Sequence, residues 1–303
     1  MSDDPSLHPI LIAGPTAAGK SALALQLAEK AGGEIINADA IQVYADLSIL
    51  SARPNAVATA ATAHHLFGHV DGGVRYSAGQ WARDAERVLA EIASRRSRPI
   101  IVGGTGLYFK ALVDGLSPMP DVPQQIISDA TARHQRLGAE EFRKETIGLD
   151  RAAEKLPPGD TQRLIRTWSV YHATGEPLSA FQAAPRRPVL NGPYTKMVVE
   201  PERTGLYARC DDRFRSMVDA GAIDEVRTLL ARGLDAGLPV MKTLGVPELS
   251  SFLMGDRTLD DAISLAQRNT RRFAKRQLTW FRGQCAGWRR VASFDEALSI
   301  VDV

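Results

Sequence analysis

The residues with the clearest chemical potential form a short glycine-rich loop near the start of the chain. The loop consists of Gly14, Pro15, Thr16, Ala17, Ala18, Gly19, Lys20 and Ser21. An apolar run precedes it, and a segment with the composition of a helix follows. Such a loop gathers backbone N–H groups and the positive end of a helix at one point, where Lys20 adds a mobile charge. We therefore predict a diphosphate or triphosphate site, with the Ser21 hydroxyl placed to bind a Mg²⁺ that bridges phosphate oxygens.

The loop alone does not identify the reaction. Hydrolysis, phosphoryl transfer and displacement of a whole diphosphate can all use the same cradle of backbone amides. The other polar groups of the chain have to distinguish these reactions.

Two further polar side chains follow predicted strands. Asp39 comes just after the strand 34–37, and Thr105 follows the strand 100–102 and two glycines. In an open α/β sheet, functional groups collect outside the carboxyl ends of the strands, so Asp39 should face the crevice of the phosphate loop. Thr105 either caps the next helix or points its hydroxyl into this crevice. A helix is predicted to begin at Ala40.

Two clusters of cations complete the set of candidate functional groups. Between residues 262 and 290 there are eight Arg or Lys and no Asp or Glu. On a helical wheel, Arg268, Arg271, Arg272, Lys275, Arg276 and Arg282 fall on one side, and Phe273, Leu278, Trp280 and Phe281 cover the other. A solvated helix normally mixes charge signs, so this face predicts a polyanion as partner. On an earlier predicted helix, Arg209 and Arg213 share a side, where they could reach a diphosphate or pair with Asp212.

The elements that must position these groups alternate between strands and helices up to residue 116. This alternation predicts an α/β fold with a parallel sheet and flanking helices. From residue 122 to about 182 the sequence has the pattern of four or five helices, with no strand between them. We therefore predict a catalytic core of residues 1–116 and 191–303 and an inserted all-helical domain of residues 117–190.

Composition restricts the class of protein. The chain has 303 residues, of which 44% are hydrophobic and 24% charged, as in an ordinary soluble protein. Two cysteines cannot form a disulfide framework or a multi-cysteine zinc site, and His64 and His65 have no further ligand cluster nearby. No apolar run has the length of a membrane helix. We expect a cytoplasmic protein that needs no membrane and is a monomer by default.

Six segments, in the same order, resemble those of the bacterial tRNA dimethylallyltransferases, and the resemblance covers essentially the whole chain. The segments are residues 14–21, 39–44 (DAIQVY), 51–54 (SARP), 103–108 (GGTGLY), 162–166 (QRLIR) and 274–282 (AKRQLTWFR). The resemblance implies a P-loop NTPase-like fold, Mg²⁺, and an inserted helical domain that binds the tRNA anticodon stem-loop. It also implies transfer of a dimethylallyl group from dimethylallyl diphosphate to the exocyclic amine of the adenosine just 3′ of the anticodon, in tRNAs that read codons beginning with U.

The resemblance and the residue chemistry together give each candidate a role. Asp39 is the predicted general base, because the adenine amine is too weak an acid to lose its proton before attack. Lys20 and Arg209 would stabilise the leaving diphosphate, and by resemblance Thr16 would bond the oxygen that links the diphosphate to the dimethylallyl group. The predicted tRNA-binding residues are Asp39, Ala40, Ile41, Gln42, Thr105, Gln162, Arg163, Leu164, Ile165, Arg166, Lys242, Arg272 and Arg276.

Three positions depart from the family pattern. Ile126 stands near a position where family members commonly have an arginine that touches tRNA, and Ala40 replaces a serine. Val246 lies where the family usually has a tyrosine, so no aromatic ring can stack on RNA there. Tyr44 and Tyr108 are the candidates to replace that ring.

Three other functions remain compatible with parts of the sequence. An isopentenyltransferase that acts on free adenine nucleotides shares the core, but it leaves the inserted helices and the basic helix with nothing to bind. A small-molecule kinase would hold ATP in the loop and use Asp39 to activate a hydroxyl, and it would turn over ATP without RNA. An RNA-binding ATPase switch would change its RNA affinity with bound nucleotide and leave the RNA covalently unchanged.

Overall fold

Short apolar runs form a parallel sheet in the computed structural model, which describes residues 4–301. The strands are β1 (Ile10–Ala13), β2 (Gly33–Asn37), β3 (His64–His65), β4 (Arg98–Gly103), β5 (Thr195–Val199) and β6 (Arg289–Val291). Their order across the sheet is β3-β2-β4-β1-β5-β6, and every neighbouring pair is parallel. The predicted α/β fold with a parallel sheet is confirmed.

Helices cover both faces of the sheet and fill the insertion. They are α1 (Lys20–Ala31), α2 (Ala56–Ala61), α3 (Ala78–Ser94), α4 (Gly106–Val113), α5 (Gln124–Leu137), α6 (Ala139–Leu149), α7 (Thr161–Thr174), α8 (Leu178–Ala183), α9 (Arg203–Asp219), α10 (Ala222–Ala231), α11 (Val246–Leu253), α12 (Leu259–Gln284) and α13 (Phe294–Leu298). Short 3₁₀ helices span Pro5–Leu7, Arg151–Lys155 and Val240–Lys242. Among residues 4–301, no helix combines the length and the apolarity needed to cross a membrane.

The central strands are buried on both faces, as continuous apolar runs in parallel sheets usually are. In β1, Leu11 contributes to one hydrophobic cluster and Ile10 and Ile12 to another on the opposite face. The first cluster includes Trp81 of α3 and Phe281 of α12, and the second includes residues of α1. This packing fixes α1 and α12 relative to the strand ends.

The carboxyl ends of the central strands meet at one edge of the sheet. The last residue of β1, Ala13, pairs with Gly103 of β4 and with Val198 of β5, and Asn37 at the end of β2 pairs with Val102. The phosphate loop, the Asp39 loop and the loop of Gly104 to Thr105 leave the sheet from this edge. The topology therefore brings together the three loops that the sequence singled out.

The prediction of a helix starting at Ala40 is wrong. Residues 40–43 form turns, although the carboxylate of Asp39 accepts the N–H group of Ile41 at 2.9 Å, as the residue before a helix often does. The chain then leaves the helical path, because Tyr44 forms a parallel bridge with Val70 and the N–H of Ala45 donates to the carbonyl oxygen of Val70. Pairing with a distant segment therefore decides the conformation here.

The described chain divides into two compact units, of which the second is Asp114–Pro188. The sequence placed the inserted domain at 117–190, and the observed bounds differ by three residues at one end and two at the other. The second unit contains α5 to α8 and a 3₁₀ turn, within the predicted four or five helices. Its core is formed around Ala130, Phe142, Leu164 and Trp168.

Candidate active site

Close packing of backbone atoms restricts the conformation of the phosphate loop. Gly14 has φ of 155°, and a Cβ there would lie 2.6 Å from the carbonyl oxygen of Val199 at the end of β5. Gly19 (φ 86°) and Ala17 (φ 61°) both take the left-handed region, which turns successive peptide groups toward the concave side of the loop. These backbone angles are compatible with the predicted amide cradle.

The start of α1 leaves its first amides free for an anion. Gly19 is the N-cap, and it has no side chain to bond the free N–H groups of the first turn. Ser21 is exposed in this turn, and within residues 4–301 its hydroxyl has no hydrogen-bond partner. A helix end with uncapped donors and a free hydroxyl suits phosphate oxygens.

Lys20 lies folded over the loop. Its Nζ donates to the carbonyl oxygen of Pro15 at 2.6 Å. Burial of the ammonium group lowers the pKa of Lys20 to about 8, against the opposing effect of the nearby Asp39 carboxylate, and Arg213 lowers it further. A bound anion would stabilise the charged form of Lys20, so phosphate binding and protonation of this residue are coupled.

Asp39 is held with one carboxylate oxygen occupied and the other directed toward the crevice. Oδ1 accepts the N–H groups of Ile41 and Gln42, at 2.9 and 3.4 Å. Oδ2 lies on the side of Gly104, where a Cβ on the glycine would come within 3.4 Å of it. The Asp39 backbone is fixed by the buried side chain of Asn37, which accepts from its N–H and donates to its carbonyl oxygen. The geometry leaves one oxygen of a positioned carboxylate for proton transfer.

Thr105 joins the Asp39 loop to the end of β4. Its hydroxyl accepts the N–H of Ala40 at 2.9 Å, and its own N–H donates to the carbonyl oxygen of Ala38 at 3.1 Å. The hydroxyl therefore bonds the backbone of the Asp39 loop, and no bond from it to the first turn of α4 is found within residues 4–301. The absence of a hydroxyl on Ala40 does not disturb this bond, because it uses the backbone N–H.

Two arginines of α9 approach the phosphate loop. Arg209 is exposed, and its Nε donates to the carbonyl oxygen of Ala17 at 3.0 Å. Arg213 is partly buried, and burial lowers the pKa of its guanidinium while Asp39 opposes the shift. The sequence placed Arg213 beside Arg209 as a cation that could reach a diphosphate, but it gave a catalytic role only to Arg209.

Gln277 of α12 is a site residue that sequence reasoning missed. Its side chain is buried, its Oε1 accepts the N–H of Thr16 at 2.9 Å, and its Nε2 donates to the carbonyl oxygen of Gly104 at 2.9 Å. The Thr16 hydroxyl has no hydrogen-bond partner in the described part of the chain. Gln277 lies in residues 274–282, one of the six segments that resemble the enzyme family. No sequence pattern indicated that its amide would bridge two distant loops.

The remaining predicted residues of the Asp39 loop face inward. The Gln42 amide donates to the carbonyl oxygens of Ser51 and Ala52, both at 2.9 Å, so it is committed to the protein. Ile41 is partly buried and packs against the core. These two residues shape the loop, and their backbone groups support the Asp39 carboxylate.

The aromatic residues offered as RNA-stacking replacements are not available for that role. Tyr44 and Tyr108 are 1% and 2% exposed, and Tyr108 stacks on Trp81 with ring centroids 4.2 Å apart. Val246 is also buried, at the start of α11, so its side chain contacts the core and not solvent. The suggestion that either tyrosine replaces an RNA-stacking ring is therefore wrong, because burial excludes both rings from a base.

The cations of α12 separate into paired and unpaired groups. Arg271 donates to Asp211 and Arg282 donates to Glu200. Arg268, Arg272, Lys275 and Arg276 are exposed and have no carboxylate partner within the described residues. We call these four residues the cation face. Both predicted tRNA contacts on this helix, Arg272 and Arg276, lie in it, and Lys242 is exposed as well.

In the second unit, the predicted tRNA-binding segment is divided between surface and core. Gln162 and Arg163 are exposed, and Arg163 pairs with Asp160 of the same turn at 3.3 Å. Arg166 is half-buried and donates to the carbonyl oxygen of Pro120. Leu164 is fully buried and Ile165 packs against the same core. Burial excludes the Leu164 side chain from RNA contact, so its proposed role there is corrected.

Ile126 of α5 also lies in the second unit. Its side chain is partly buried and packs against the cluster around Phe142. It supplies no charge to the surface of α5. The structure thus gives Ile126 a packing role.

Comparison with known proteins gives a consistent set of relatives. A sequence profile described as IPP transferase matches residues 42–284. A tRNA dimethylallyltransferase of Phenylobacterium zucineum is 49% identical over 286 residues, covering 94% of this chain and 92% of that protein. One of Maricaulis maris is 47% identical over 292 residues, covering 96% and 95%.

Solved structures with the same fold include two from this group of enzymes. The tRNA isopentenylpyrophosphate transferase of Bacillus halodurans is 30% identical with a TM-score of 0.69, and the match covers 98% of this chain and 95% of that one. A eukaryotic dimethylallyltransferase acting on tRNA is 26% identical with a TM-score of 0.74, covering 90% and 70%.

Proposed function

This chain belongs to the IPP transferase family, and we propose that it transfers a dimethylallyl group from dimethylallyl diphosphate to tRNA. The acceptor is the exocyclic amine of the adenosine 3′-adjacent to the anticodon, in tRNAs that read codons beginning with U, and diphosphate is released. The observation that carries the proposal is the meeting of the phosphate loop, Asp39 and Thr105 at one edge of the sheet.

The proposed reaction uses Asp39 as the general base. The adenine nitrogen attacks the first carbon of the dimethylallyl group, the bond from that carbon to the diphosphate oxygen breaks, and a proton leaves the nitrogen. Oδ2 of Asp39 takes this proton, because Oδ1 is engaged with the backbone of Ile41 and Gln42. A carboxylate fixed in this way needs little reorganisation at the moment of transfer.

The phosphate loop stabilises the leaving diphosphate. Uncapped amides at the start of α1 and the Lys20 ammonium supply positive potential where negative charge develops. Arg209 bonds the loop through the carbonyl oxygen of Ala17, and we propose that its remaining guanidinium N–H groups donate to the diphosphate. The unpartnered Thr16 hydroxyl is our candidate donor to the oxygen that leaves with the diphosphate.

The residues present fit a Mg²⁺ ion bound mainly by its substrate. Ser21 offers a free hydroxyl, and within residues 4–301 no group of three or more His, Cys, Asp or Glu could hold a metal ion by itself. Mg²⁺ commonly takes its remaining ligands from phosphate oxygens and water. When bound, the ion would neutralise charge on the diphosphate.

The tRNA substrate is proposed to use exposed groups of both units. In the first unit these are Lys242, Arg272 and Arg276, and the extruded base would lie between Asp39 and Thr105. In the second unit they are the exposed Gln162 and Arg163, and the half-buried Arg166 lies on the same helix. Lys242, Arg272 and Arg276 favour phosphate contacts because they have no acidic partner within residues 4–301, whereas Arg163 would first have to leave its pair with Asp160.

The test is a direct search for the modified nucleoside. The protein is incubated with Mg²⁺, dimethylallyl diphosphate and unmodified tRNA, and the RNA is digested and examined by mass spectrometry, beside an incubation with ATP alone. We expect a prenylated adenosine that disappears when the diphosphate is omitted. ATP consumption without an adduct would replace this proposal with the kinase function.

A further inference from the structure

Gln277 connects the two halves of the candidate active site. It lies on α12 and not in the loops that follow β1, β2 and β4, which we call the strand-end loops. Its Oε1 accepts the N–H of Thr16 in the phosphate loop, and its Nε2 donates to the carbonyl oxygen of Gly104, both at 2.9 Å. Both partners belong to the same compact unit as α12. A single buried amide therefore bonds the loops that follow β1 and β4.

The partners fix the orientation of the amide. Thr16 N–H can only donate and the Gly104 carbonyl can only accept, so the oxygen and the nitrogen of Gln277 cannot exchange places. The side chain is only 6% exposed, so water cannot readily replace either bond. Gly104 needs to be glycine for this contact, since a Cβ there would lie 2.4 Å from Nε2.

The bonds extend from Gln277 to the proposed general base. Gly104 is followed by Thr105, whose hydroxyl accepts the N–H of Ala40, next to Asp39. On the other side, Thr16 carries the hydroxyl proposed to meet the leaving oxygen. A series of bonds thus links the diphosphate end of the reaction to the carboxylate through one side chain, beside the bonds by which Asn37 holds the Asp39 backbone.

The packing of α12 keeps this side chain in place. Ala274 and Leu278, on either side of Gln277, pack with Leu206 and Cys210 of α9 and with Ala17 and Ala18 of the phosphate loop. Trp280 of the same helix lies against Gly106, where a Cβ would meet its ring. The helix is therefore anchored to both loops, and the amide sits at the centre of the contact.

From these contacts we infer that Gln277 is a positioning residue that sets the distance between the bound diphosphate and the Asp39 carboxylate. The inference rests on the proposed function. Gln277 acts through Thr16 and Gly104 and contacts no substrate itself. Its loss should slow the bond-forming step more than it weakens the binding of either substrate, because small misplacements of reacting groups are costly.

The experiment compares Gln277→Met with a matched control, Gln267→Met. Gln267 is also a buried glutamine of α12, but its amide donates to the carbonyl oxygen of Asp211 in α9, away from the strand-end loops. We expect Gln277→Met to lower the single-turnover rate of prenylation about 10²-fold at saturating substrates, while the KM values change little. The control should keep the rate of the unmodified protein. Equal rates for Gln277→Met and the unmodified protein would overturn the inference.

A second variant separates positioning from simple packing. In Gln277→Glu, an ionised carboxylate would face the Gly104 carbonyl, and only the protonated form can donate to it. Its rate relative to the unmodified protein should therefore rise as pH falls, whereas the relative rate of Gln277→Met should not depend on pH. Parallel pH profiles for the two variants would reduce Gln277 to a packing residue.

Amide hydrogen exchange provides a measurement that does not depend on activity. Gln277→Met should increase exchange in a peptide that contains Thr16, and Gln267→Met should leave it unchanged. Unchanged exchange in Gln277→Met would contradict the positioning role whatever the reaction is. If the unmodified protein does not prenylate tRNA but Gln277→Met still shows the increased exchange, the proposed function is wrong. The hydrogen bonds of Gln277 would remain supported.

Discussion

The strand-end loops and the cation face of α12 are built on opposite principles. In the loops, the charged side chains have fixed backbone partners, as with Lys20 on Pro15 and Asp39 on Ile41. On the cation face, Arg268, Arg272, Lys275 and Arg276 are exposed and have no carboxylate partner within residues 4–301. One region holds its charged side chains through hydrogen bonds to the backbone, and the other exposes its cations to solvent.

This difference shows where geometry matters and where charge is sufficient. Chemistry at one carbon needs groups held close to one arrangement, so each residue of the loops is individually important. Binding to a phosphate backbone depends mainly on the number of neutralised charges, so the members of the cation face share the task. Substitutions in the loops should therefore reduce rate, and substitutions on the cation face should reduce affinity.

The largest effect is expected for Asp39→Asn. Asparagine keeps an oxygen that can accept from Ile41 and Gln42, so the loop should retain its conformation, but the amide cannot take a proton. We expect the single-turnover rate to fall about 10²–10⁴-fold. Filter binding of tRNA should give an affinity close to that of the unmodified protein. A large loss of tRNA affinity with a normal rate for bound tRNA would assign Asp39 to binding and remove the distinction between the regions.

An effect of intermediate size on diphosphate affinity is expected from the ionisation of Lys20. Its pKa is lowered to about 8 in the free protein, and a bound diphosphate should hold it protonated. Below pH 8 both states carry the proton and this group adds no pH dependence. Above pH 8 the free protein loses the proton, so affinity for inorganic diphosphate should fall by up to about tenfold per pH unit.

Calorimetry across this range tests the coupling, with Lys20→Arg as the comparison. The guanidinium of the variant stays charged, while ionisation of the ligand affects both proteins equally. The ratio of the two affinities should therefore change above pH 8. A constant ratio would show that the loop binds diphosphate without a proton from Lys20.

The smallest effect per residue is expected on the cation face. Arg272→Ala and Arg276→Ala should each weaken tRNA binding roughly fivefold, since an exposed charge contributes about 1 kcal/mol or less. The slope of log affinity against log salt should decrease by about one unit for each phosphate that the variant no longer neutralises.

Arg87→Ala on α3 is the matched control for these substitutions. Arg87 is equally exposed but pairs with Glu91 one turn along the helix at 2.7 Å. Its removal should leave the salt dependence of tRNA binding unchanged. If Arg272→Ala leaves the salt dependence unchanged, as Arg87→Ala should, the cation face does not contact tRNA. The contrast between loops that set the rate and a face that sets the affinity would then fail.

Local patterns in the sequence identified most of the chemistry. The phosphate loop, the parallel sheet and the one-sided distribution of cations each follow from residue type and spacing over a few turns or strands. The confirmed strands are short apolar runs, whose burial on both faces is visible as continuous hydrophobicity. The helix predicted at Ala40 failed because residues 43–45 pair with Val70, a contact between distant segments that no local pattern indicates.

Sequence by itself determined which side chains could bind phosphate, accept a proton or attract RNA, since those properties belong to residue types. Only the tertiary structure decided which of them meet. Residues 16 and 277 are separated by 261 positions, yet their bond depends on how α12 packs against the sheet. The exposure of Arg272 and the burial of Leu164 and Tyr108 likewise depend on packing between elements. No local pattern encodes such contacts, because their partners are chosen by the fold as a whole.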